Sequence, residues 1–320
     1  MLQRLNVLRN WLASVALLAA TVVWSAEPAD QALAPGRYPG PPLWRVSKGD
    51  HELWLFGTLS MVPKEMKWSS PDAESAIAGA EEVLSPPGAR AATLRPVQLL
   101  RLWLRVRELS ANPDGKQLAE VLPADLYARY SALRNRYARR ERSHEDQRPI
   151  IAARRIYEDA VETMGLVSGR EVESGIERSA RRADVKITDT KFPVDPESLL
   201  ENAAQVSFEA ESDCFDKLLA TLEQDEDRIL LRARAWAIGD VAALARFEYP
   251  DIRRDCLAFP GWPEALLGTL EGADDRWLEE AERALAANRT TFGAVDLREL
   301  LSSDGLLARL RERGYDVQAP

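Results

Sequence analysis

The sequence is poor in the side chains that most hydrolytic and metal centres use. Its 320 residues hold two histidines, His51 and His144, and two cysteines, Cys214 and Cys256. A Ser-His-Asp arrangement would have to recruit one of those histidines, and no Gly-x-Ser-x-Gly elbow is present. There is no Cys-x-x-Cys pair, no P-loop and no dinucleotide fingerprint. His51 falls in a turn before a strand, where solvation is the expected role, and His144 falls in a charged run where no ligand role is expected. Basic charge is also short. The formal net charge is −9, which argues against a nucleic-acid partner, because phosphate binding draws on clustered Lys and Arg. Disorder is excluded as well, since 46% of the residues are apolar and can build a core.

The N-terminus carries the clearest local signal. Arg4 and Arg9 precede an apolar stretch from Trp11 to Trp24, followed by the small residues Ser25 and Ala26. That pattern predicts a signal peptide over 1–26, cut after Ser25 or Ala26, and hence a periplasmic or secreted protein. An uncleaved anchor is the alternative, although the apolar run is short for a membrane span. After cleavage no stable span is expected. Loss of Arg4 and Arg9 leaves a mature charge of −11, since 1–26 hold no Asp or Glu. In an oxidising compartment the even cysteine count allows one disulfide, and Cys214–Cys256 is expected to form it.

Residues 27–42 are rich in Pro, Gly and Ala and read as an extended lead-in. Leu43–Val46 and Glu52–Leu59 read as strands around the turn Lys48-Gly49-Asp50. The run Leu53–Phe56 suits a strand buried on both faces. Pro71–Ala80 reads as a helix with Ser70 at its N-cap, and Glu82–Ser85 as a short strand. The middle reads as helical: around Leu99–Val106, over Leu122–Arg142 with a core stripe of Leu126, Tyr130, Leu133 and Tyr137, over Pro149–Met164 and Val172–Arg182, and through much of Pro196–Trp236. Val185–Thr188 reads as a strand between them. The basic cluster Arg129, Arg134, Arg136, Arg139, Arg140 and Arg142 reads as a solvated face or, more pointedly, as an anionic lipid or glycan contact. The tail reads as an amphipathic segment (Trp277–Ala286), strand Thr291–Val295, a loop, helix Asp304–Arg313 capped by Ser302 or Ser303, Gly314 and strand Tyr315–Val317. Strands at both ends with helices between predict an α/β or α+β protein. Its mixed sheet would come from the N- and C-terminal segments and be covered by the helical middle. One domain is expected over 43–320, with a helical insert at about 95–285.

In open α/β sheets, ligands bind at loops after buried strands. Two such loops are candidates, Gly57-Thr58-Leu59-Ser60 and Asp296-Leu297-Arg298-Glu299. Here a resemblance becomes visible. LWRVSKGDHELWLFGTLSMVPKEMKWSSPDAESAIAGAEEVLS (43–85) is similar to the opening of the TraB/GumN (TraB/PrgY) family, which includes Tiki-type metalloproteases. RAWAIGDVAAL (234–244) resembles that family's Trp-x-x-Gly-Asp segment. RWLEEAERALAANRTTFGAVDLRELLSSDGLLARLRERGYDV (276–317) resembles its closing module.

The resemblance implies a metallohydrolase-like fold, and the departures bear on its chemistry. The family's first motif histidine falls on Ser60, and its glutamate after the next strand falls on Ser85 or beside it. The closing-loop histidine falls on Glu299, with Asp296 where glycine is usual. An Arg-Asn pair falls on Ala273-Asp274. Hydroxyls are poor zinc ligands, whereas a catalytic metal needs about three protein donors. The expected function is therefore a non-catalytic binding or scaffold protein with no cofactor. Its pocket would be formed by Gly57, Thr58, Ser60, Ser85, Asp296, Arg298 and Glu299, for a peptide, protein or glycan ligand. The alternative is a metal-dependent, peptidase-like hydrolase with a rearranged site, in which a divalent ion is held by oxygen donors and Glu299 is ligand or general base.

Overall fold

In the computed structural model the described residues are 40–66, 70–137, 144–224, 226–249, 256 and 263–320. The signal segment, most of the lead-in and Arg139, Arg140 and Arg142 lie outside them. The first strands are β1 (Leu43–Lys48) and β2 (His51–Thr58), then β3 (Met61–Pro63), helix α1 (Pro71–Ala78), β4 (Glu82–Leu84) and β5 (Ala89–Ala91). The helical middle follows: α2 (Pro96–Ser110), α3 (Leu118–Val121), α4 (Ala124–Tyr137), α5 (Pro149–Thr163), β6 (Leu166–Ser168), α6 (Arg170–Arg182), β7 (Lys186–Thr188), β8 (Phe192–Val194), α7 (Pro196–Ala203), α8 (Phe208–Gln224), α9 (Glu226–Ala237) and α10 (Val241–Leu244). The chain closes with α11 (Glu264–Ala287), β9 (Thr290–Asp296), α12 (Leu297–Leu301), α13 (Leu306–Glu312) and β10 (Asp316–Gln318).

The main sheet has six strands in the order β10-β1-β2-β9-β4-β7. It is mixed. β1 runs antiparallel to β10 and β2, while β2, β9, β4 and β7 are mutually parallel along the sheet. The two ends of the chain thus share one sheet, as the sequence predicts, and the fold is α/β. The middle is not only a cover, because β7 completes one edge. Short pairs β3–β6 and β5–β8 form two further two-stranded sheets, which the sequence does not announce. Three residues are too few for a period of two to stand out.

Local chemistry explains the element ends. Ser70 Oγ accepts the Ala73 N–H at 3.2 Å with Pro71 in the first turn of α1, as expected. Asp195 caps α7 in the same way, accepting from Ser198 N at 3.0 Å. Residues 196–236 are largely helical, as expected, and divide into three helices, α7, α8 and α9. The final helix is shorter than expected and begins after Gly305, with no side-chain cap: Ser302 bonds Asp304 instead. Gly314 ends the helix at φ +82°, a conformation that glycine adopts without steric cost.

Two large hydrophobic cores result, with a small third cluster of Met61, Leu166 and Ile229. One packs helices on the sheet, with Phe56, Trp236, Trp277 and Phe292 among its largest fully buried side chains. The other lies within the helical middle, where the Leu126, Tyr130, Leu133, Tyr137 stripe of α4 meets Ile156 and Phe215. That confirms the core reading of the stripe. Two arginines flanking the stripe, Arg129 and Arg134, are paired within the chain. Arg129 bonds Glu223 and pairs with Asp216, which raises its pKa, and Arg134 pairs with Glu145. His144 is buried in this lobe, 3.7 Å from Asp159.

A disulfide joins Cys214 on α8 to Cys256, 42 residues apart. Closing a loop of that length restricts the unfolded chain and is worth on the order of 4 kcal/mol in the chain-entropy model. Paired Cys214→Ser and Cys256→Ser substitutions are expected to lower the unfolding free energy by about 2–4 kcal/mol in urea titrations under non-reducing conditions. An unchanged midpoint would contradict the cross-link.

At the edge where the parallel strands begin, Glu82 is 2% exposed and collects four donors. Lys186 Nζ, Arg283 and Asn288 bond it at 2.8 Å each, and the Thr188 hydroxyl joins them. Burial alone would raise its pKa, but these hydrogen bonds outweigh it and bring the carboxyl down to about 2. A carboxylate with a depressed folded pKa stabilises the fold above its unfolded value of 4.5, and that contribution fades as pH falls toward 2. Glu82→Gln is expected to cost roughly 1–3 kcal/mol at pH 7, because buried donors lose a charged acceptor. Its deficit relative to the parent should shrink between pH 4.5 and 2 in chemical denaturation. A deficit constant over that range would show that the charge on Glu82 is irrelevant.

Candidate functional site at the strand ends

The parallel strands deliver the candidate residues to one edge. In the β2–β9 register Gly57 faces Val295 and Thr58 faces Asp296, so the two predicted loops leave the sheet side by side. β4 ends one strand further along, at Leu84, and Ser85 follows it. Both loops that the sequence singles out therefore start at neighbouring strand ends.

Each candidate side chain has a defined position there. Gly57 is buried, and a Cβ on it would press into Leu297 and Trp44. Its carbonyl accepts the indole N–H of Trp236 at 2.7 Å, and Trp236 stacks edge-on to Phe56 at 6.1 Å between centroids. Thr58 is buried and donates to the Val295 carbonyl at 3.1 Å, tying β2 to β9. Ser60 is exposed, and its carbonyl accepts the Gly169 N–H at 2.9 Å. Gly169 has no room for a Cβ against the Leu59 carbonyl, so the loop after β2 is held close to the start of α6.

Ser85 is buried rather than open. Its Oγ accepts the Thr190 N–H at 3.0 Å and lies 3.2 Å from Thr190 Oγ1. Its carbonyl accepts from Thr190 Oγ1 at 2.8 Å and from Trp277 Nε1 at 3.1 Å. Asp296 was expected in a loop, but the segment after it is a helix. Asp296 is the N-cap of α12 and accepts the Arg298 N–H at 2.9 Å, which satisfies one of the free donors of the first turn. Arg298 and Glu299 pair at 2.9 Å, both largely buried. Gly305 closes over the Glu299 carbonyl, where a Cβ would collide.

Three further residues join this edge, and sequence reasoning missed them. Burial raises the pKa of Glu173 on α6, Lys191 and Arg170 oppose the shift, and Glu177 and Asp296 reinforce it. Tyr249 is pushed up to about 12, first by burial and also by Asp296, against Arg232. The Arg232 guanidinium lies over the Tyr249 ring at 5.5 Å. No local motif marks Glu173, Arg232 or Tyr249, because they come from separate helices and a turn.

The donor set does not fit a catalytic zinc or cobalt ion. Such a centre needs about three converging nitrogen, sulfur or carboxylate donors and an open position. Ser85 is committed to Thr190, Asp296 to a helix end and Glu299 to Arg298. Among the described residues no group of three or more His, Cys, Asp or Glu side chains is arranged to hold a metal ion. His51 starts β2, at the opposite end from this edge, with Nδ1 2.6 Å from the Asn288 carbonyl. That contact replaces the purely solvated role expected of it.

A mixed sheet built from both chain ends, with polar residues gathered at the parallel strand ends, defines an α/β protein of the type the 43–85 and 276–317 segments resemble. The TraB/PrgY/gumN family model matches residues 42–319, and the chain belongs to that family. No curated protein and no solved structure matches it.

Asp296→Asn removes a charge that, after burial, helps raise the Glu173 pKa. The Glu173 pKa should fall in this variant, as followed by carboxyl-detected NMR titration. An unmoved titration would place the two groups out of electrostatic reach.

Proposed function

We propose that this protein is an exported, non-catalytic binding or scaffold member of its family, using the strand-end cleft to hold a peptide, protein or glycan. One observation carries the reading: the two acidic residues of the Asp296–Glu299 segment are each engaged within the chain, Asp296 on the N-terminus of α12 and Glu299 on Arg298. A ligand or general base must have lone pairs aimed at the reacting centre. Carboxylates held by a helix end and a guanidinium serve instead to fix the rim of the cleft.

Thr58 and Ser85 play the same part, as ties between strands. The mixed lining of Glu173, Arg232, Tyr249 and Ser60 favours a polar ligand bound through hydrogen bonds. Export is supported by the 1–26 pattern and by the Cys214–Cys256 bond, which persists in oxidising compartments. Among the described residues no helix is long and apolar enough to cross a membrane.

Metal analysis tests the proposal. The purified protein is expected to carry well below one equivalent of zinc, cobalt or manganese, and to leave peptide substrates intact with or without chelator. Stoichiometric metal, with chelator-sensitive cleavage abolished by Glu299→Ala, would establish the metal-dependent hydrolase in its place.

A further inference from the structure

Helix α2 is the one long helix described here with no buried residue at all. Val97, Leu99, Leu100, Trp103, Leu104 and Val106 are each 42–62% exposed, and they make up most of the large apolar side chains left exposed among the described residues. Leu99, Leu102, Trp103 and Val106 recur at i, i+3, i+4 and i+7 on one face, with Leu100 and Leu104 beside them. Arg101, Arg105 and Glu108 recur on the opposite face. Core packing cannot account for this pattern, because of the helix's leucine, valine and tryptophan residues only Leu102 and Leu109 are even half-buried.

The charge around the face is unlike that of the rest of the chain. The chain as a whole is at −9, yet residues 83–107 contain no Asp or Glu and five arginines. Arg90 is paired with Asp189 at 3.0 Å. Arg95, Arg101, Arg105 and Arg107 all lie on or beside the helix and are exposed. The neighbouring α7 brings Glu197 and Glu201, so the positive field belongs to α2 itself.

We propose that α2 is an interfacial helix that seats this protein on an anionic phospholipid surface. Its apolar face would enter the headgroup–acyl boundary while its arginines meet lipid phosphates. Arg107 decides between this occupant and a second copy of the chain. It lies within the apolar face, three, four and seven residues after Leu104, Trp103 and Leu100, and its guanidinium sits 5.9 Å from the Trp103 ring centre. In a dry seam between two such helices Arg107 would be buried opposite a face with no carboxylate, since Glu108 points the other way. At a bilayer surface it reaches a phosphate by extending along the face, and Trp103 occupies the interfacial zone that tryptophan favours.

Both cysteines are consumed by the disulfide, so one new thiol can be labelled alone. Leu100→Cys and Arg101→Cys, each in the full chain, place an environment-sensitive fluorophore on the apolar and polar faces of the same helix. Vesicles of phosphatidylglycerol and phosphatidylcholine should blue-shift and brighten the label at 100 far more than at 101. Pure phosphatidylcholine vesicles should leave both nearly unchanged. Adding Arg95→Glu, Arg105→Glu and Arg107→Glu to Leu100→Cys should weaken the response roughly a hundredfold or more in lipid concentration. This readout belongs to α2 and does not depend on whether residues 11–24 also bind lipid. A label at 100 that is already blue-shifted without vesicles would mean that a protein surface or second copy covers the face, and would overturn the proposal. No response, or an equal response to neutral vesicles, would overturn it as well.

Discussion

Everything at the candidate site depends on the parallel pairing of β2 with β9. Residues 52–58 bond residues 290–296 across more than two hundred intervening positions. That pairing sets Thr58 against Asp296 and places the two strand-end loops next to each other. It is secured from three directions. Trp236 grips the Gly57 carbonyl, the Thr58 hydroxyl grips the Val295 carbonyl, and the Gly57 surface admits Leu297 only because it has no side chain. A register slip of one residue would turn every side chain of β2 to the other face, and would break all three at once.

Several residues of the segments that look most like family motifs hold the frame together. Trp236 anchors the end of β2. Gly239, with φ at +70°, ends α9, and Asp240 starts α10 by accepting the Ala243 N–H at 2.8 Å. Trp277 does for β4 what Trp236 does for β2, through the Ser85 carbonyl. Ser85, Asp296 and Glu299 are bonded within the chain, while Ser60 is exposed. The opposite sheet edge is organised by the Glu82 cluster, so charge is concentrated where the strands begin, and the strand ends carry a more mixed polar lining.

Two cores give the molecule a division of labour. The sheet core fixes the cleft. The helical lobe has its own core and internal ion pairs such as Arg148–Glu211 at 2.9 Å. Helix α2 belongs to neither core. A helix whose apolar face is left in water is costly unless something covers it, and the arginines on it identify an anionic surface as that covering.

Much of the fold was legible in the residues. The apolar run Leu53–Phe56, the Ser70-Pro71 start and the Gly314 stop each carry their own local cause, so periodicity and cap chemistry located them. The stripe on α4 revealed its core side in the same way. The site was legible only in part. The sequence located the two loops after β2 and β9, because a strand end is a local event. It did not show that Asp296 caps a helix, that Ser85 turns inward to Thr190, or that Glu173, Arg232 and Tyr249 come to the same edge. Those facts depend on contacts between residues far apart in the chain, and hydrogen-bond partners and burial are properties of packing that no local spacing encodes.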